Sequence, residues 1–194
     1  MKSKIPDPLS LASLEEGNKR QRFCSNLLKK IKLFDKLREY NPLLAGTIPI
    51  NIDLPESDLD IICEVYDFAL FRQKIHHYFS DYDSFSDYTG GSINYVAQFN
   101  IQNQAIEIYA ESNPTHLQYA YIHMQIESKI LNLLGETFRK QIIQLKTDGL
   151  KTEPAFGKLL GLQEPYSELI ALAEMSNNKL KDFLKINKFN VTSH

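Results

Sequence analysis

Between residues 43 and 114, apart from Asp67 to Phe79, the apolar side chains recur in short, strand-length runs, whereas before and after that block they recur at helical spacing. A chain whose hydrophobic period changes from about 3.6 to about 2 and back cannot be a pure helical bundle or an all-β sandwich. It predicts an α+β fold, with a small mixed or antiparallel sheet flanked by helices. Leu59-Asp60-Ile61-Ile62-Cys63 reads as a largely buried strand, and Ser84 to Thr89 as a short extended segment. Ile93 to Phe99 and Ala105 to Tyr109 alternate as strands should. Gly90-Gly91 and Gln102-Asn103 supply the turns, and Asn113-Pro114 closes the block.

Ser10 to Tyr40 is predicted to be helical up to the Asn41-Pro42 breaker. Leu27, Leu28, Ile31 and Phe34 share an apolar face there, while Lys29, Lys30, Lys32 and Lys36 fall mostly off it. That lysine cluster is either a solvated helix face or a contact for a polyanion. Asp67 to Phe79 is a second amphipathic segment, with Phe68, Phe71, Ile75 and Phe79 on one side. Past the sheet, helices are expected over Thr115 to Leu134, Gly135 to Leu145, from Glu153-Pro154 with Thr152 as N-cap, and over Tyr166 to Leu184. On this pattern residues 1–112 form the α+β core, and residues 113–194 a helical C-terminal region packed on it.

Composition excludes several classes. With 22 basic and 24 acidic residues the net charge is -2, so nothing pulls the whole chain toward nucleic acid; a nucleic-acid acceptor is allowed but not favoured. The opening MKSKIPDPLSLASLEEG lacks the apolar stretch of a secretory signal, and no run approaches the roughly 20 apolar residues of a membrane span. A cytoplasmic protein without membrane contact is expected, in which the Asn190-Val-Thr sequon has no use. Cys24 and Cys63 are too far apart in sequence for a metal-ligand pair and too few for a disulfide framework; each is expected to be a small buried hydrophobe.

The chemistry concentrates in one segment, from Gly46-Thr47 to Asp58-Leu59-Asp60. Two aspartates separated by one residue on a strand point to the same side, leaving Leu59 and Ile61 for the core. Their mutual repulsion calls for a cation, and hard divalent ions such as Mg²⁺ both offset carboxylate charge and accept phosphate oxygens. Glu107, flanked by Ile106 and Ile108 in a later strand, is the candidate third carboxylate, placed to complete the ligand set and help activate a hydroxyl. Gly46 permits close backbone approach to a ligand, and Thr47 offers a hydroxyl to a phosphate oxygen. A helix starting there would add free N–H groups for an anion.

At these residues the chain resembles the minimal nucleotidyltransferases of the DNA polymerase β type. Their signature is a glycine-serine pair, ten intervening residues and Asp-x-Asp; here Ile48 to Ser57 lie between Gly46-Thr47 and Asp58-Leu59-Asp60. Thr47 in place of serine keeps the hydroxyl. The likeness covers roughly Ser10 to Glu111. The segments Tyr119 to Met124 and Leu150 to Phe156 look like those of an uncharacterised bacterial family within that superfamily. The resemblance implies transfer of a nucleoside monophosphate from a nucleoside triphosphate to a hydroxyl of an unknown acceptor. Asp58 and Asp60 would then hold two Mg²⁺ ions and Glu107 one of them. Gly46 and Thr47 would position the triphosphate; Ser57 and Lys151 are further candidates for binding the nucleotide.

Plainer roles stand beside these. Asp58 and Asp60 suit a turn after Pro55-Glu56-Ser57, and Asp53 and Glu56 suit solvated loop positions. His116 and His123 are seven apart, wider than a helical metal pair. Tyr95, Tyr109, Tyr119 and Tyr121 serve either base stacking or packing. Lys151 and Lys158 either reach a triphosphate or stay in solvent. Two other functions compete with transfer: a non-catalytic nucleotide- or protein-binding module, of the kind found in toxin-antitoxin pairs, and a metal-dependent phosphohydrolase.

Overall fold

The computed structural model describes residues 11–90, 93–187 and 189. The expectations for Ser10, Gly91, the remainder of the opening segment and the C-terminal sequon lie outside these residues. Two compact units are present. One holds the described residues up to Asn51 together with Glu56–Tyr121; the other holds Ile52–Pro55 and the chain from Ile122 onward.

The first unit is built on a five-stranded mixed sheet, in the order β1 (Leu43–Ala45), β2 (Leu59–Glu64), β5 (Gln104–Glu111), β4 (Asn94–Ile101) and β3 (Asp83–Thr89). β3, β4 and β5 form an antiparallel meander, and β5 returns to lie parallel to β2. Parallel neighbours need a long connection, which α4 (Phe68–Phe79) and the β3–β4 hairpin provide. The β4–β5 turn is Gln102-Asn103, both at positive φ (52° and 64°), as a two-residue hairpin of the right twist demands.

Alternation sends Leu59, Ile61, Cys63, Ala97, Phe99, Ile106 and Ile108 to one face, all buried. Against that face pack Leu27 and Leu28 of α2 (Lys19–Lys30), Leu33 of α3 (Leu33–Lys36), and Phe71, Ile75 and Phe79 of α4. Each such side chain contributes about 1.5–3 kcal/mol by leaving water. Phe79 and Phe99 stack with ring centroids 5.1 Å apart. Asp67 caps α4 by accepting from Leu70 N–H.

The expected helix from residue 10 to 40 is broken. After the short α1 (Leu11–Glu15), Asn18 and Gln21 form a reciprocal capping box that starts α2 afresh. Lys32, at φ 53°, ends the continuous run, and Arg38–Tyr40 is a 3₁₀ turn. Lys29, Lys30 and Lys32 are exposed, while Lys36 lies over the rings of Tyr78 and Phe79.

The second unit is helical. α5 (Tyr119–Thr147), which begins in the first unit, is interrupted at Gly135 (φ 74°, ψ -165°), where two helices were expected to meet. α6 (Thr152–Leu160) starts one residue earlier than expected, so Lys151 rather than Thr152 is the N-cap, and it makes no side-chain cap bond. The single last helix is two: α7 (Pro165–Ala173) and α8 (Asn177–Ile186), because Ser176 accepts from Lys179 N–H and caps a new start. Among the described residues no helix is long and apolar enough to cross a membrane.

Candidate functional site

The face of the sheet opposite the core carries its polar residues in register. Asp60 on β2 is the direct partner of Glu107 on β5, and Glu107 is in turn the partner of Gln98 on β4. Asp58 lies one residue before β2. One carboxylate oxygen from each of Asp58, Asp60 and Glu107 lies within 4.8 Å of the other two. All three side chains are half-buried. Like charges this close repel by about 1 kcal/mol per pair even at the dielectric of water, and more beside a protein surface. The local fold that brings them together gains stability elsewhere, from Leu59, Ile61, Ile106 and Ile108 beneath.

Gly46 closes one side of the cluster. A Cβ built there would lie 1.7 Å from Asp60 Oδ2, and the residue has φ +74°. Only glycine satisfies both the close approach and the left-handed backbone. Its position follows from register, since Ala45 on β1 pairs with Asp60. Thr47 is half-buried immediately after it. No helix begins here: residues 48–51 form a turn closed by Asn51 N–H to Ile48 O at 3.2 Å, with Asn51 at φ 58°. The N–H groups that a helix starting here would have offered an anion are therefore not supplied. Ile48-Pro49-Ile50 is instead buried, so packing rather than helix propensity shapes the loop.

Three residues that sequence reasoning passed over organise the cluster. Gln98 Nε2 donates to Glu107 Oε2 at 2.7 Å, which fixes the carboxylate in the row. Counting back from the two-residue turn would have found Gln98, because the hairpin pairs it with Glu107. Arg20 Nη2 and Gln104 Nε2 both donate to the Ser57 carbonyl, at 2.6 and 3.1 Å, and so fix the chain just ahead of Asp58. Arg20 sits in a distant helix and carried no local signal.

The remaining candidates are dispersed. Tyr95 and Tyr121 are buried, Tyr109 is half-buried with its hydroxyl donating to Glu111 at 3.1 Å, and Tyr119 is exposed. Lys151 is exposed at the start of α6 in the second unit. His123 Nε2 lies 2.9 Å from the Tyr166 carbonyl, and its Nδ1 is 3.4 Å from Glu153. Burial disfavours its imidazolium, but Glu153 and that carbonyl outweigh burial and raise its pKa. Cys24 and Cys63 are buried thiols, and burial pushes Cys63 far up.

Three hard carboxylate oxygens on a rigid sheet, with a glycine cradle that a Cβ would fill, make a donor set suited to Mg²⁺. Among solved structures the chain is similar to the Cid1 poly(U) polymerase, in a crystal form with Mg and 3′-dATP bound, at 12% identity and a TM-score of 0.53. The match covers 83% of this chain and 52% of that one, so the chain spans about half the length of that polymerase. The fold is thus nucleotidyltransferase-like. No curated protein matches the sequence. Residues 26–172 match a family described as a domain of unknown function (DUF4269), and the chain belongs to that family.

Proposed function

We propose that this protein is a Mg²⁺-dependent nucleotidyltransferase that moves a nucleoside monophosphate from a nucleoside triphosphate to a hydroxyl of an acceptor. One observation carries the reading: Asp58, Asp60 and Glu107 converge within 4.8 Å on a nucleotidyltransferase-like sheet, with the Gly46 backbone against Asp60. In this reading Asp58 and Asp60 hold two ions and Glu107 one of them. When bound, such ions neutralise phosphate charge and favour in-line displacement.

The chain's own residues divide the remaining work. Gly46 leaves room for the Asp60 carboxylate to take its place in the cluster, and the Thr47 and Ser57 hydroxyls donate to the triphosphate oxygens. The acceptor oxygen bonds to the α-phosphorus as the bond from that phosphorus to the pyrophosphate breaks. The hydroxyl proton passes to Glu107 and on to water, and pyrophosphate leaves. Positioning and charge compensation supply most of the acceleration. We assign the chemistry to residues 1–112 and an accessory helical role to residues 113–194. The likeness to a polymerase that takes UTP supports a nucleotide as donor without selecting the base.

The test is calorimetry of Mg²⁺ with each of the four ribonucleoside triphosphates, on wild type and on Asp58→Ala/Asp60→Ala. Binding by wild type that the double variant loses supports the reading. Absence of binding by folded wild type overturns it in favour of a module without nucleotide chemistry. Free nucleoside monophosphate with no adduct would replace transfer by hydrolysis.

A further inference from the structure

A pocket of ≈ 240 Å³ opens at the sheet beside Asp58, lined also by Ser84, by Gln98, Phe99 and Asn100 of β4 and by Ala105 and Ile106 of β5. Its polar walls come from both strands of the β3–β4 hairpin. Asn100 and Gln98 alternate on β4, so both side chains stand on the face that carries Glu107. Ser84 reaches the pocket because the register of β3 slips between Asp83 and Ser86, with Ser84 itself at φ 55°. Bulges of this kind re-aim a side chain, and a non-glycine residue held left-handed costs energy that the fold must recover elsewhere. No described residue hydrogen-bonds the side chain of Asn100 or Ser84, and the Gln98 amide is spent on Glu107 through its nitrogen, which leaves its carbonyl oxygen to accept.

Charge and size narrow the occupant. Among the described residues neither lysine nor arginine lines the pocket, and Asp58 contributes a negative charge. A phosphate backbone is normally met by basic side chains, so this wall repels rather than attracts a nucleic-acid strand. The volume falls below the roughly 300–1,000 Å³ of sites for drug-sized ligands, which suits a single ring. Amides and hydroxyls that both donate and accept are matched by vicinal hydroxyl groups.

We infer that this pocket binds the acceptor, and that the acceptor is a small neutral molecule bearing a cyclic diol, such as a free sugar or a nucleoside. The inference rests on the transfer reading for its role but not for its binding. Gln98 joins the two: its nitrogen positions Glu107 and its oxygen accepts from one acceptor hydroxyl. The neighbouring hydroxyl is thereby held beside Glu107. Asn100 and Ser84 select the ring.

The test is nuclear magnetic resonance titration of the full chain, without Mg²⁺ or nucleotide, following the side-chain amide signals of Gln98 and Asn100. The probes are glucose, uridine and an oligo(U) strand. Saturable shifts of both signals with glucose or uridine are expected, and which of the two binds tells a sugar from a nucleoside. Asn100→Ala and Ser84→Ala should each weaken binding about tenfold, as loss of a hydrogen bond to a hydroxyl does. No shift with either small probe at millimolar concentration overturns the inference, as does a shift with oligo(U) alone. If wild type binds Mg²⁺-nucleotide but neither diol, the pocket assignment falls and the transfer reading stands. If it binds a diol but no nucleotide, the reverse holds.

Discussion

Replacing Gly46 by alanine tests the geometry of the carboxylate cluster most directly. Two separable penalties follow from the structure. Holding a non-glycine residue at φ +74° costs about 1–2 kcal/mol, equivalent to a fall in Tm of roughly 2–8 °C for a chain of this length. Independently, the new Cβ would stand 1.7 Å from Asp60 Oδ2, so the carboxylate must retreat by about 1.3 Å to reach the 3.0 Å limit of real Cβ contacts. Metal-ligand distances tolerate only about 0.2 Å, and a misplacement near 1 Å costs about 100-fold where geometry governs binding or chemistry. Gly161 supplies the control: it has the same φ of +74°, and no atom of the described residues lies within 4 Å of where its Cβ would stand. Gly161→Ala should therefore lose stability by a similar amount and keep Mg²⁺-nucleotide binding, whereas Gly46→Ala should lose both. Thermal unfolding and calorimetry on the two variants read the two penalties apart. Gly46→Ala binding Mg²⁺-nucleotide as tightly as wild type would refute the placement of Asp60 in the site.

Other consequences are open to measurement. Gln98→Ala removes the amide that holds Glu107, and Mg²⁺-nucleotide affinity should drop by about 10–100-fold with little change in unfolding temperature; unchanged affinity would remove Gln98 from the site. Glu127 is buried, and its Oε1 has no hydrogen-bond partner among the described residues; burial and then Glu153 raise its pKa well above 4.5, and Lys146 only partly opposes them. A carboxyl raised on folding stabilises below its unfolded value and loses that contribution as pH rises through the folded one. Glu127→Gln should therefore be more stable than wild type to urea in mildly alkaline buffer, the difference shrinking toward acid; a variant weaker than wild type there would contradict this. His123, also raised, shifts stability in the same direction: its contribution is present below pH 6.5 and is lost as pH climbs through its folded value, so His123→Gln should flatten that part of the profile. Gln102→Asn with Asn103→Gly gives both left-handed positions of the hairpin residues that tolerate that region better and should raise stability by about 1 kcal/mol in denaturant melts.

Local chemistry was legible in the amino-acid order. Alternation marked which face of Leu59–Glu64 and Gln104–Glu111 is buried, Gln102-Asn103 marked the hairpin, and Gly135 marked the interruption of α5. Each depends on residues within one turn or one strand, where side-chain period and φ preference decide. The helix boundaries at Lys32 and at Ser176 were not legible, because apolar spacing continues across both and only a left-handed residue or a cap interrupts it. At Thr47 the sequence left open whether a helix begins, and burial of Ile48-Pro49-Ile50 produced a turn.

The spacing from Gly46-Thr47 to Asp58-Leu59-Asp60, and the single-residue interval that puts both aspartates on one side, are properties of the sequence alone. That Glu107 stands beside Asp60 is not. It depends on β5 pairing in parallel with β2 across a 39-residue interval from Glu64 to Gln104, in one register among several. A shift of one residue would turn Glu107 into the core and Ile106 or Ile108 to the open face. The register is chosen by the packing of Leu59, Ile61, Ile106 and Ile108 under the sheet, so the hydrophobic face, formed over long range, decides where the carboxylates meet.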